Sequence, residues 1–471
     1  SNPIVPVYLF PRGDDFGLVK VFERWDPARK INTMFWPQGE GDYRMQNPYW
    51  IAYRNLRLNQ KKRYMLSAQL SYDITDWLNI SGRVRVDNTH TKYEQKLYAS
   101  SNLTITEEST QGHYTISKPD ETQTYADVLA NINKRFNDFS LVANVGASIV
   151  NNRYEDLSYR GPIREKGIPN VFNVFDLDNT KKKARQDEWQ EQTQSVFASV
   201  EVGWKSMLYL TLTGRNDWAS QLANSSTPCF FYPSVGLSGV ISEMLTLPEF
   251  IDYMKVRGSF SSVGMPYPRN LTSPTYEYDE ANQQWKPKTH YPIKDLKPER
   301  TNSWELGLDM RLFKDFSLGF SWYLANTFNQ TFDPKVSVSS GYSKIYLQTG
   351  YVRNSGVELS LGYGHTWNNH LHWESNFTLS HNKNTIKDLV TSYIHPETGL
   401  PITQNRLDVG GLGKARFILK KGGTLGDLYT QSDLKRDNNG MVEIDPSGAL
   451  TTEDNLPDIK LGSVFPKANM A

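Results

Sequence analysis

The chain has 471 residues, and its 52 basic and 51 acidic side chains leave a net charge of +1, which excludes the basic footprint of a nucleic-acid-binding protein. Only 38% of the residues are hydrophobic, mean hydropathy is -0.58, and no run of about 18 apolar residues occurs. A helical membrane protein is therefore excluded, but a membrane barrel, whose strands are apolar on one side only, is not. A single cysteine, Cys229, excludes an internal disulfide and a cysteine-based metal site.

Residues 1–60 are irregular, with Pro, Gly and aromatics (FPRGDDFG, MFWPQGEGDYRMQNPYW), and read as a surface segment packed by its own side chains. No signal peptide opens the chain, and the sequence reads as a portion of something longer. Hairpins follow. Tyr64, Leu66, Ala68, Leu70 and Tyr72 share one face, and after the turn DITD so do Leu78, Ile80, Val84 and Val86. Strict alternation of this kind specifies strands with one apolar and one polar face. Residues 88–124 are polar and are expected to form a long loop. A second hairpin turns at Asn137-Asp138, and a second polar loop is expected over 151–191. There KKKARQDEWQEQ reads as a solvated loop or a short helix. A third hairpin turns at Lys205-Ser206 and leads into Arg215-Asn216-Asp217-Trp218. The fourth pairs YPSVGLSGV with MKVRGSFS through ISEMLTLPEFID, where a helical turn fits, and a loop rich in Pro and Tyr is expected over 264–300.

The clearest hairpin is the fifth. Trp304, Leu306, Leu308, Met310 and Leu312 alternate with Ser303, Glu305, Gly307, Asp309 and Arg311. After Lys314-Asp315 the code repeats with Phe316, Leu318, Phe320, Trp322 and Leu324. About ten residues per strand is enough to cross a bilayer at a tilt. A sixth hairpin spans Val357 to Asn382. Beyond it Gly, Asp and Asn dominate, and strand pairing is not readable. This gives about twelve strands whose connections alternate between short turns and long loops, as in membrane β-barrels. Soluble sandwiches alternate too, but they seldom carry repeated long structureless loops. The predicted fold class is all-β, a transmembrane antiparallel β-barrel, here partial. Trp77, Phe139, Trp204, Phe313, Phe316 and Trp367 beside the short turns are expected to form a periplasmic girdle.

The polar faces are expected to line the lumen through Arg83, Arg85, Glu305, Asp309, Arg311 and Glu358. Their first reading is pairing between strands or contact with a plug, and their second is contact with substrate. Trp218 reads either as a stacking platform for a sugar or as part of the outer aromatic belt. Tyr267, Tyr276, Tyr278, Trp285 and Tyr291 on the 264–300 loop are candidates for substrate binding or for packing against a lid. His365, His370 and His372 cluster near a turn, but no supporting ligand spacing makes them a metal site. Neither a GxSxG, P-loop nor HExxH motif occurs, so no catalytic residue, cofactor or metal is assigned.

Several of these stretches resemble the barrel of SusC/RagA-type TonB-dependent transporters: Asn47-Pro48-Tyr49-Trp50, RNDW at 215–218, YPSVGLS at 232–238, LKPERTNSWELGLD at 296–309 and NSGVEL at 354–359. The likeness runs from Asn2 to about Lys467. It implies a Gram-negative outer-membrane importer of glycans or peptides, a 22-stranded barrel filled by an N-terminal plug. It also implies a SusD-like lipoprotein lid, coupling to TonB-ExbB-ExbD through the plug, and contact with outer-membrane lipid. On this reading residues 1–471 are one barrel portion, without the signal peptide, TonB box, plug or last strands. Two alternatives remain open: a siderophore or vitamin receptor of the same architecture, and a surface-exposed all-β carbohydrate-binding or adhesin protein.

Overall fold

The computed structural model describes residues 2–39, 45–269, 271, 276–279, 284–287, 290–291, 297–332, 344–345, 347–367, 371–394 and 401–464. Among them thirteen hydrogen-bonded segments form one antiparallel sheet, and two of these are successive pieces of a single strand. The twelve strands are β1 (Asn55–Thr75), β2 (Leu78–Tyr98), β3 (Gly112–Ser117 and Asp120–Phe136) and β4 (Phe139–Pro162). Next come β5 (Lys183–Trp204), β6 (Leu208–Ala219), β7 (Phe230–Val240) and β8 (Ile251–Met265). The last are β9 (Glu299–Leu312), β10 (Phe316–Phe332), β11 (Leu347–Trp367) and β12 (Leu371–Asp388). Each pairs with its sequence neighbours, so the sheet is an uninterrupted up-and-down meander. β3 breaks at Lys118-Pro119, where proline cannot donate. The neighbours still bond across the break, through Thr91 N to Pro119 O and Lys118 N to Leu157 O.

Two-residue periodicity sorts the side chains by face, and the register carries each face from strand to strand. One apolar row runs Leu141–Val202–Leu210–Leu237–Gly258–Leu306–Trp322–Val357 across β4 to β11. One polar row runs Gln69–Arg83–Asp127–Ser148–Ser195–Asp217–Phe230 across β1 to β7. Burial is inverted relative to a water-soluble protein on the interior strands: Val128 and Leu306 are 59% and 57% exposed, whereas Ser195 and Asp217 are 2% and 7% exposed. Each large apolar side chain left in water forgoes ~1.5–3 kcal/mol, so this belt requires a hydrocarbon solvent. The short turns all fall at one end of the strands. Trp77, Phe139, Trp204, Phe313, Phe316 and Trp367 stand exposed there, and Phe250 stacks on Phe313 at 5.5 Å.

The strands are longer than the sequence pattern predicts. β9 and β10 have 14 and 17 residues, and β1 to β5 extend well past the apolar belt. The loop expected over 88–124 is mostly strand, with β2 reaching Tyr98 and β3 starting at Gly112. Residues 151–191 belong largely to β4 and β5, and KKKARQDEWQEQ is strand from Lys183 onward, not loop or helix. Alternation fails there for a physical reason: above the bilayer both faces meet water, so neither needs to be apolar. β8 and β9 likewise shorten the expected 264–300 loop, which also carries a small hairpin, Tyr276–Asp279 with Gln284–Pro287. The helical turn expected after β7 is present at Ile241–Met244.

The described residues among the first sixty carry regular elements rather than loop alone, with helices α1 (Ile4–Leu9) and α2 (Pro48–Arg54) and a hairpin of Glu23–Asp26 with Ile31–Met34. Asn47 caps α2 by accepting from Tyr49 N, and its amide donates to Val19 O and Phe35 O. Trp50 is fully buried and donates Nε1 to Ser101 Oγ at 2.9 Å. At the other end of the chain a four-stranded sheet (Arg406–Leu412, Ala415–Lys420, Asp427–Thr430, Ile459–Ser463) packs on β11 and β12. The shared core is Val352, Ile386, Leu389 and Leu419. The backbone of Ile386, on the sheet-edge strand β12, bonds to Gly422 and Gly423.

Leu306 is 57% exposed. In a soluble protein Leu306→Arg would move stability by about 0.5 kcal/mol or less. In a lipid-facing strand it is expected to cost about 2–4 kcal/mol, read by denaturant unfolding of the protein in lipid vesicles. A loss below about 1 kcal/mol would contradict the lipid assignment.

A second expectation concerns acid. Asp458 accepts from Arg406 Nε at 2.6 Å and Nη2 at 2.9 Å and lies 2.9 Å from Lys420 Nζ. The Arg406 hydrogen bonds hold this carboxyl well below the usual carboxylate range. A depressed folded pKa contributes stability above the ordinary carboxylate value, and that stability is lost as pH falls through the folded value. Amide protection, measured against the intrinsic exchange rate at each pH, should therefore fall across Ala415–Lys420 and Ile459–Ser463 below about pH 4, and in Asp458→Asn already at neutral pH. Exchange indifferent to both changes would remove this clamp from the account.

Candidate functional site

The polar face of the meander presents rows of side chains that bond laterally across strands. On β2 and β3, Arg83 holds Asp127 Oδ2 through Nε and Nη2 at 2.9 and 2.7 Å. Arg85 reaches Gln123 Oε1 at 3.3 Å, and both guanidiniums lie 5.3 Å from the Tyr125 ring. Farther along, Arg215 donates Nε to Asp217 Oδ1 at 2.7 Å and Nη2 to Ser195 Oγ at 2.8 Å. The first and third residues of RNDW thus form an ion pair within one strand, on one face.

The third group sits on β8 to β10. Arg257 donates Nη1 to Asp309 Oδ2 at 3.1 Å, and Nη2 to Glu305 Oε1 at 3.1 Å and Ser321 Oγ at 2.8 Å. Its guanidinium lies flat over Gly307, where a Cβ would meet Arg257 Nε at 2.5 Å. Only glycine at 307 leaves that space. The two carboxylates share one cation instead of facing each other across a sugar-sized gap, unlike a glycosidase pair.

A fourth group lies on the same face of the outer extensions. Tyr154 stacks on Trp189 with ring centroids 5.4 Å apart at 13°. Arg269, from the segment after β8, sits 4.0 Å over the Trp189 ring and pairs with Glu191 at 2.8 Å. β6 and β7 are short, with 12 and 11 residues, so this segment crosses above them to reach β5. On the other face of these extensions, beside Lys96 and Gly161, burial first and the Glu94 hydrogen bond second push the Tyr114 hydroxyl pKa up.

Arg83, Arg85, Glu305, Asp309, Arg311 and Glu358 all lie on the polar face, and Arg257 joins two of them. Arg311 stands exposed near the short turn and Glu358 is exposed opposite Ser321. Trp218 is on the other face: it pairs in register with Gln194, beside Ile149 and Val196 on the apolar side. A sugar inside the barrel cannot stack on it there, which corrects the substrate-binding candidate and fits the belt reading. Tyr267 is also corrected. It is 4% exposed beside Ser225, so it packs the outer loops and offers no ring to a ligand. Trp285 is 68% exposed, in register with Tyr278. The side chains of Tyr276, Tyr278 and Tyr291 lie outside the described residues, as does His370. His365 bonds Asp315 Oδ2 at 2.7 Å from the apolar face, while His372 bonds Thr366 Oγ1 from the polar face. The two histidines share no site, and among the described residues no group of three His, Cys, Asp or Glu could hold a metal.

Arg257, Asp127, Tyr154, Trp189 and Arg269 were missing from the sequence-based candidates. Parity in MKVRGSFS places Arg257 on the polar face, so it was recoverable. Trp189 lies in the 151–191 stretch whose polar composition reads as loop. Arg257→Gln is expected to cost about 1 kcal/mol, because the group is half exposed. Removing Glu305 and Asp309 as amides in the same protein should recover part of that loss. A triple variant less stable than the single one would contradict the shared-cation geometry.

Residues 8–446 match the family model described as TonB dependent receptor-like, beta-barrel. TonB-dependent receptor P39 of Formosa agariphila is 23% identical over 339 residues, covering 69% of this chain and 30% of the relative. TonB-dependent receptor P26 of the same organism is 26% identical over 226 residues, covering 46% and 23%. A solved structure of the RagAB peptide transporter superposes with a TM-score of 0.69 at 16% identity, over 90% of this chain and 47% of that one. The RagAB importer in its open-open state gives a TM-score of 0.64 at 15% identity, over 95% and 47%. The chain thus spans about half the length of the solved chains and under a third of the curated relatives.

Proposed function

Because the chain belongs to the TonB-dependent receptor-like β-barrel family, whose members are transporters and not enzymes, we propose that it forms part of the barrel wall of an outer-membrane nutrient importer. Its cargo is an oligosaccharide, captured with a SusD-like surface lipoprotein and released inward when TonB, with ExbB and ExbD, moves a plug. The observation that carries the membrane part of this reading is the continuous belt of exposed apolar side chains on one face of the sheet, opposite a face lined by polar side chains that pair laterally. Interior polar rows supply binding and gating groups, and no covalent step is required of them. Arg269, Trp189 and Tyr154 sit above the belt, where cargo would first meet the wall. A peptide cargo is the second reading, favoured by the fold shared with a peptide transporter. The exposed apolar face argues against a soluble adhesin.

The test is labelled-ligand uptake by cells with and without the full-length gene, in TonB-positive and TonB-negative backgrounds. Accumulation of one ligand class that needs both is the expected result. Accumulation unchanged by either deletion, across oligosaccharides and peptides, would overturn the import reading.

A further inference from the structure

On the lipid side of β7 to β11 an apolar notch lies beneath a row of unpaired cations. Each of these strands is bonded on both sides. In the row Leu237–Gly258–Leu306–Trp322 the glycine supplies no side chain. One row farther out Phe260 packs on Trp304 with ring centroids 4.6 Å apart. A groove of about 510 Å³ results, walled chiefly by Val235, Leu237, Phe260, Trp304, Trp322 and Leu324. Immediately beyond the apolar belt, on the same face, runs the polar row Ser262–Asn302–Asn326–Arg353. Asn302 Oδ1 accepts from Ser262 Oγ at 2.7 Å, and Asn326 Oδ1 accepts from Arg353 Nε at 2.8 Å and the Tyr351 hydroxyl at 3.1 Å. Both amide oxygens are therefore taken. The two amide N–H groups and Arg353 Nη1 make no hydrogen bond among the described residues. Arg300, one row farther out, is exposed and donates Nη2 to Phe231 O at 2.9 Å. Neither arginine meets a carboxylate among the described residues, whereas outward cations of β2 to β4 do. Lys92 pairs with Glu94 at 3.0 Å, His90 bonds Asp120 at 3.3 Å, and Arg153 pairs with Glu155.

We infer that this patch is a binding site for one kind of bilayer lipid, a doubly phosphorylated, acylated saccharide. One acyl chain lies in the Gly258 groove, and the two phosphates lie on Arg300 and Arg353. The inference goes beyond the import reading: it needs the membrane placement of the belt and no particular cargo. A guanidinium with no carboxylate at the edge of a hydrocarbon belt sits at headgroup depth, where lipid phosphate is the anion it meets. Guanidinium and phosphate form strong, often bidentate hydrogen bonds. Spacing decides between lipids. Arg300 leans to the backbone of β7 and Arg353 to Asn326 of β10, three strands apart and so about 14 Å at about 4.8 Å per strand. One phosphate cannot satisfy both, whereas two phosphates at the ends of a disaccharide can. Between them stand the amide donors of Asn302 and Asn326, which suit sugar hydroxyls. Those amides lie two residues, or about 7 Å, outward of Trp304 and Leu324, so a headgroup on the row delivers its chain into the groove.

The experiment titrates the full-length protein in a neutral detergent with lipid A (a doubly phosphorylated, acylated disaccharide), its monophosphoryl form, its dephosphorylated form and cardiolipin. Binding is read by native mass spectrometry. Each phosphate should tighten binding about 10-fold. Arg300→Gln and Arg353→Gln should each remove one of these steps, and together both. Gly258→Leu, which fills the groove, should weaken all three saccharide lipids alike. Equal binding of the phosphorylated and dephosphorylated forms by the unmodified protein overturns the inference without any variant having to fold, and so does binding of none. Tighter binding of cardiolipin than of lipid A overturns the saccharide assignment. Inorganic phosphate that displaces lipid A at equal concentration makes this a free-anion site and overturns the lipid assignment. Quenching of the protein's tryptophans in vesicles of brominated-chain lipid reads membrane placement separately. Quenching without any phosphate preference removes this inference and leaves the membrane reading intact.

Discussion

Every residue of a strand sends its side chain to the face opposite its neighbour's, and a strand in a bilayer must bond its backbone to other strands because no water is there to do it. The rest of this molecule depends on these two constraints acting together. The meander pairs the backbone of β2 to β11 on both sides, each strand bonding to its sequence neighbours, with β1 and β12 at its two edges. The register then aligns Leu, Val and Trp into rows on one side and Arg, Asp and Ser into rows on the other. A slip of one residue between any two strands would put charges into lipid, so the hydrophobic pattern fixes the pairing as firmly as the hydrogen bonds do.

The same constraint explains the polar face. Charges in a thin wall are satisfied only by lateral partners, and the strand period brings those partners into register. Arg215 reaches Asp217 two residues on and Ser195 on the next strand. Arg257 gathers Glu305, Asp309 and Ser321 because Gly307 leaves room beneath it. Such pairs are half solvated and individually contribute little. Their value is positional, since they fix long side chains against the wall.

Beyond the belt the constraint relaxes. Strands continue as hydrogen-bonded ladders, but water on both sides removes the demand for alternation. There the structure turns to local devices: Trp50 seated on Ser101, Asn47 tying α2 to two carbonyls, Arg269 laid across Trp189.

The sequence by itself determined the meander, the number of its strands, the hairpin turns and the face on which Arg83, Arg85, Glu305, Asp309 and Arg311 lie. All of these follow from the two-residue period, which is local and survives in a single sequence. Parity also sends Trp218 to the apolar side, in step with Leu208, Leu210 and Leu212. Only the tertiary structure decided where the strands end, because polar strands above a membrane carry no periodic signal. It alone seated Tyr267 in a buried position, separated His365 from His372, and brought Arg257 to Glu305 and Arg269 to Trp189. Those contacts join residues tens of positions apart, and their geometry exists only once the register between strands has been set.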